Sequence, residues 1–167
     1  LGLKLSETGY RFATEERARI YLTNSLEPKV SQLPHIAVEA LAHEAAAVNE
    51  VKWYKRFTVV IGNPPYAGAS VNMSAHAQGL VDPYRFIDGQ RIDEVKLWLL
   101  NDYIKFTALA QGTIESAGLG VWGFITDNSF LDGPTFRGVR YSLARTFRRL
   151  RILNLHGSSK RRDKTSS

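Results

Sequence analysis

The residues best placed to do chemistry are Asn63-Pro64-Pro65-Tyr66, directly after the apolar run Val59-Val60-Ile61-Gly62. Two consecutive prolines fix φ and remove two backbone donors, which forces a rigid, extended turn. Its carbonyl oxygens are left pointing outward without local partners. Asn63 adds a side-chain carbonyl acceptor, and Tyr66 adds a flat apolar face with a polar tip. A pair of fixed acceptors beside a stacking platform suits a planar group bearing an NH2. The acceptors hold its two N–H bonds, draw electron density onto nitrogen and aim the lone pair at an electrophile. No strong base is required, which agrees with the absence of an obvious carboxylate pair or Ser-His-Asp set. The plainer alternative is a proline-rich loop after a core strand.

Elements must position this tetrapeptide. Phe57–Ile61 is a continuous apolar run ended by Gly62, the pattern of a parallel strand buried on both faces. Residues 35–50 are Ala-rich without Gly or Pro and predict a helix. Arg17–Thr23, rich in β-branched and aromatic residues, predicts a short strand, and a turn is expected near Gly9. Residues 67–91 show no clean period and read as a long loop that closes on a ligand. From Ile92, apolar residues recur through Val95, Leu99, Tyr103, Phe106 and Ala110 at intervals of three and four, marking one face of a long helix that Gly118 and Gly120 stop. Val121–Thr126 predicts a second buried strand. Pro134 opens a further helix with the stripe Phe136, Val139, Leu143, Phe147 and Leu150. Arg151–Leu155 predicts a last strand. Strands alternating with helices argue for an α/β fold with a mainly parallel sheet, in which ligands bind at the carboxyl ends of the strands.

Composition narrows the classes. The 167 residues, 44% hydrophobic and 23% charged, suit one globular domain. No Cys is present, which excludes disulfides, a thiol nucleophile and thiolate zinc sites. No apolar run reaches the length of a membrane span and no signal peptide is visible, so no membrane partner and a cytoplasmic location are expected. Leu1 opens the chain and its single Met is Met73, so a longer polypeptide is expected around it. The net charge of +6 is uneven: residues 137–167 carry +9 and the preceding residues −3. A basic end on a mildly acidic body is the footprint of a polyanion binder, or of a solvated helix face and tail. Arg137 and Arg140 are candidates for DNA phosphates, with pairing to Asp127 or Asp132 as the structural alternative. His35, His43, His76 and His156 form no metal pattern, so no metal is expected. Trp53, Trp98 and Trp122 read as core or subunit-facing aromatics.

The motif resembles the catalytic loop of amino methyltransferases that use S-adenosylmethionine, the group containing DNA adenine-N6 enzymes. Five blocks in order narrow the likeness: Val59–Gly68, Leu97–Phe106, Gly123–Asp132, Pro134–Arg140 and Leu153–Gly157. Together they resemble the methyltransferase region of type ISP restriction-modification enzymes, single polypeptides that join a nuclease, a helicase-like translocase, a methyltransferase and a target-recognition domain. The resemblance covers most of residues 4–160. It implies a Rossmann-like methyltransferase fold, incomplete here, with residues 1–157 as a partial catalytic domain and 158–167 as a basic polar tail.

By the same resemblance, Asn63 and the Pro64 carbonyl accept the adenine N6 hydrogens, Pro65 holds the loop's shape, and Tyr66 stacks on an adenine flipped out of double-stranded DNA. Asn24 matches the place where the cofactor's adenine is contacted, with a turn-forming role as the alternative. The glycine-rich cofactor loop and the acidic residue for the cofactor ribose are absent, and the resemblance places both before Leu1. The segment alone is therefore expected to be catalytically incompetent and marginally stable or self-associating. The same short motif also serves enzymes that methylate a glutamine amide or guanine N2, and a third reading is a non-catalytic DNA-binding scaffold.

Overall fold

A computed structural model describes residues 7–9, 19–28, 39–65, 70–93 and 97–155. Helix α1 spans Glu39–Tyr54, four residues beyond the expected end. Strand β1, Val59–Gly62, follows it. Next come helix α2, Ala75–Gly79, a 3-10 turn over Asp82–Arg85, and a small hairpin of β2, Phe86–Ile87, with β3, Gln90–Arg91. A second 3-10 turn over Leu97–Leu100 leads into helix α3, Asp102–Ala117. Strand β4 covers Val121–Phe124. Helix α4, Ser129–Asp132, a 3-10 turn over Pro134–Phe136 and helix α5, Arg137–Thr146, complete the order.

Strands β1 and β4 pair in parallel, with Val59 opposite Val121 and Gly62 opposite Phe124. A parallel pair needs a crossover, and α3 supplies its last part, packing on both strands. Helix α3 ends where expected: Gly118 takes φ +79°, a left-handed conformation that glycine adopts without steric penalty, and its N–H returns to the carbonyls of Ile114 and Glu115. The core is a cluster of Val81, Tyr84, Leu99, Tyr103, Phe136 and Val139 with their neighbours. The predicted stripes of α3 and α5 supply most of it. Leu150 lies past the end of α5 and is half exposed.

Five expectations need correction. Strands β1 and β4 are not buried on both faces. Ile61 is 82% exposed, and Val59, Val121 and Ile125 are also exposed; α3 covers one face, and among the described residues no layer covers the other. Residues 19–23 form no strand, and Leu22 is 98% exposed. Arg151–Leu155 is likewise not a strand, and Leu153 is 84% exposed. Both segments have strand-like composition, but a strand needs a neighbouring edge for its hydrogen bonds, and among the described residues none pairs with them. The long helix starts at Asp102, because Asn101 is extended (φ −60°, ψ 140°) and breaks the run. Finally, residues 70–91 are not an open loop. Ser74 caps α2 by accepting from the Ala77 N–H at 3.1 Å, and Val81 and Tyr84 are fully buried in the core. Elements of two to five residues are too short to show a period, so the pattern concealed them. Residues 66–69 lie outside the described residues.

Candidate active site

The motif begins where the β1–β4 ladder ends. The Ile125 N–H donates to the Gly62 carbonyl at 3.1 Å, and the chain then leaves the sheet through Asn63-Pro64-Pro65. This is the carboxyl end of a parallel pair, where an α/β sheet presents its loops to ligands. Pro64 is buried while Asn63 and Pro65 are exposed. The rigid part of the turn is thus packed and the amide-bearing residue faces outward. Tyr66 lies outside the described residues.

An open groove of about 430 Å³ runs along the edge of β1 that β4 leaves unpaired. Asn63, Pro64 and Pro65 form one end, and Phe106 and Ala110 of α3 with Phe124 of β4 contribute apolar wall. Gly62 sits at the junction. A Cβ there would lie 2.8 Å from Cε1 of Phe124, so only glycine lets that ring close over the strand end. Phe124 in turn stands edge-on to Trp122, ring centroids 5.0 Å apart.

The chain returns from the motif through a polar network that sequence reasoning missed. The Ser70 hydroxyl donates to Asp102 Oδ1, and Asn72 Nδ2 donates to Asp102 Oδ2 at 2.9 Å. Lys105 Nζ donates to Ser70 Oγ at 2.6 Å and to the Asn72 carbonyl, and lies 3.6 Å from Asp102. Lys105 is 0% exposed and Asp102 4%. A buried charge is tolerated only when paired and hydrogen-bonded, and both conditions hold here. The available signal was Asp102 and Lys105 three residues apart in the first turn of a helix whose neighbouring positions are apolar.

Asn24 belongs to the same network. Its Nδ2 donates to Asn72 Oδ1 at 2.8 Å, and its Oδ1 accepts from the Leu26 N–H at 3.1 Å. Its carbonyl accepts from the Glu27 N–H at 3.2 Å and from Lys52 Nζ at 2.7 Å. Burial lowers the Lys52 pKa, and the Glu27 carboxylate partly offsets this. Asn24 thus shapes the turn over residues 24–27, and its neighbour Ser25 reaches the groove.

The two candidate DNA arginines each donate from Nη1 to backbone carbonyls. Arg140 Nη1 donates to Phe130 O at 2.7 Å and Gly133 O at 2.9 Å, tying α5 to the end of α4. Arg137 Nη1 donates to Pro134 O at 3.0 Å. Arg145, Arg148, Arg149 and Arg151 are the exposed cations of this region. Trp122 packs on the core, as expected of a structural aromatic, whereas Trp53 is exposed. Among the described residues no group of His, Asp and Glu could hold a metal, and His35 and His156 lie outside them. No helix among them is long and apolar enough to cross a membrane.

Residues 4–160 match the Eco57I restriction-modification methylase family. The chain belongs to that family. No curated protein and no solved structure shows a match. As an Eco57I-family methylase the protein is a methyltransferase of restriction-modification, and DNA methylation is the activity of that class. Its mixed helices and strands, with a small parallel sheet, are compatible with an α/β methyltransferase-like fold.

Proposed function

We propose that this methylase transfers a methyl group from S-adenosylmethionine to N6 of an adenine flipped out of duplex DNA. The observation that carries the reading is the placement of Asn63-Pro64-Pro65 at the carboxyl end of β1, with Pro64 buried beneath an exposed Asn63. The Asn63 side-chain carbonyl and the Pro64 backbone carbonyl accept the two N6 hydrogens, which leaves the nitrogen lone pair directed at the methyl donor. Pro65 keeps the turn extended, and Tyr66 stacks on the base. Positioning, not acid–base chemistry, supplies most of the rate.

The groove fits part of the cofactor. Phe106, Phe124 and Pro64 suit a flat aromatic base, whereas no acidic side chain lines the groove to hold ribose hydroxyls. The bound cofactor would supply an electrophilic methyl on a sulfonium, and this chain's residues would orient the acceptor toward it. The β1–α3–β4 crossover supports reading the segment as part of a Rossmann-like methyltransferase sheet. The ordered blocks support a type ISP parent with nuclease, helicase-like and target-recognition domains as partners. We place DNA phosphates on the exposed Arg148, Arg149 and Arg151, with Arg137 and Arg140 shaping the surface beside them.

The test incubates the full-length protein with duplex DNA and S-adenosylmethionine and looks for N6-methyladenine by mass spectrometry of the digested DNA. The modified base is expected, and Asn63→Ala lowers its formation at least about 100-fold, the order a lost transition-state contact carries, without weakening DNA binding. Methylation of a protein amide or an RNA base instead of DNA would overturn the substrate. DNA binding without any transfer would favour the scaffold reading.

A further inference from the structure

We propose that Lys105, Asp102 and Asn72 form a positioning device that fixes the return of the Asn63–Pro65 loop against the groove; the inference rests on the methyl-transfer reading above. Three segments border the groove, and one network joins them. Asn24 and Ser25 are adjacent: Asn24 bonds Asn72 at 2.8 Å, and Ser25 lines the groove. Lys105 and Phe106 are adjacent on α3: Lys105 bonds Ser70 at 2.6 Å, and Phe106 lines the groove. The third segment is the motif loop, which leaves β1 at Gly62 and must be back at Ser70.

Ser70 follows Pro65 by five positions, so the two can lie at most about 18 Å apart. Where Ser70 and Asn72 sit therefore limits where Asn63 and the Pro64 carbonyl can sit. A buried ion pair adds little net stability, because desolvation offsets most of its attraction. Holding groups in one arrangement is a different matter, since a displacement of about 1 Å at a reacting centre costs about 100-fold in rate. Lys105, fully buried and donating to both Ser70 and the Asn72 carbonyl, acts through the loop and does not touch the substrate.

The test compares Lys105→Met and Asn72→Ala with wild type in the full-length protein. Both are expected to lower kcat for DNA methylation at least tenfold, while the DNA KM and the salt dependence of DNA affinity stay within twofold. Asn72 is only half-buried, so Asn72→Ala should keep the wild-type unfolding midpoint and decides the matter if Lys105→Met does not fold. An Asn72→Ala protein with wild-type kcat overturns the inference, as does a loss of kcat that only follows the loss of folded protein by circular dichroism. Asn63→Ala, run beside them, separates the two levels. If it abolishes transfer while Asn72→Ala does not, the positioning role alone fails. If Asn63→Ala leaves transfer intact, the loop is not the catalytic site and the inference falls with it.

Discussion

At the residue scale, the site depends on close approaches that single atoms would spoil. Gly62 is followed at once by the motif, and the Phe124 ring closes over its Cα face. A methyl group at this position would push the ring, whose edge-on contact with Trp122 limits where it can go. Gly62→Ala is therefore expected to lower stability by about 1–2 kcal/mol, the ordinary scale of overpacking, measured by urea unfolding. An unchanged midpoint would mean that Phe124 moves freely and does not form a fixed groove wall. Asn63 differs in kind. It is exposed at the end of a strand, so its replacement should affect chemistry and leave folding alone.

At the element scale, α3 unites core and site. One face carries Tyr103, Ile104 and Ala110 into the interior; Phe106 and Leu109 line the groove; Lys105 and Asp102 hold the returning loop. Two buried phenols meet around this helix. Tyr84 donates to Gln111 Oε1 at 2.9 Å, and the Tyr103 hydroxyl shares a hydrogen bond of 2.9 Å with Ser129 Oγ. Burial pushes the Tyr103 pKa up to about 12, the Ser129 hydrogen bond opposing and the Asp127 charge adding to the effect. Burial, with Glu115, raises Tyr84 as well. Each phenol holds its proton more tightly folded than unfolded. Their contribution is thus fully present below pH of about 10, the unfolded tyrosine pKa; that of Tyr103 is lost as pH rises through about 12, and that of Tyr84 at higher pH still. Urea unfolding followed from pH 8 upward should show a decline that begins near pH 10 and is shallower in Tyr103→Phe. An identical slope in that variant would remove Tyr103 from the account.

At the scale of the whole molecule, charge and apolar surface are segregated. Between Arg137 and Leu155 there are six arginines and no acid. Arg140 and Arg137 are tied to carbonyls, and Arg145 lies over the Tyr141 ring at 5.5 Å. Arg148, Arg149 and Arg151 remain as exposed cations. Phosphate contacts release counterions, so each contact adds about 0.9 to the slope of log affinity against log salt on duplex DNA. Replacing Arg148 and Arg149 with Ala should reduce that slope by about 2, with the same loss on unrelated sequences; an unchanged slope would move the DNA path elsewhere. The sheet tells the other half. Ile61 and Val121 on the two strands, and Ile125 just after β4, are exposed; among the described residues the strands pair only with each other, which leaves an apolar face and an unpaired β1 edge. Such edges invite pairing with another strand.

The sequence by itself determined what is local: the double proline after an apolar strand, the helix stop at Gly118, the stripes of α3 and α5, and the ordered blocks that lie within the residues 4–160 matched by the family. These are legible because they depend on each residue's own backbone freedom or on a period within one element. Only the tertiary structure decided which apolar runs become strands. Val121–Phe124 finds β1 beside it, whereas residues 19–23 and 151–155, of similar composition, find no partner among the described residues. It also decided what the polar residues do. Asn24, Ser70, Asn72, Asp102 and Lys105 are scattered over some eighty positions and share no spacing. Long-range contacts bring them together, and the cost of burying the charges of Asp102 and Lys105 requires the partners that Ser70 and Asn72 supply.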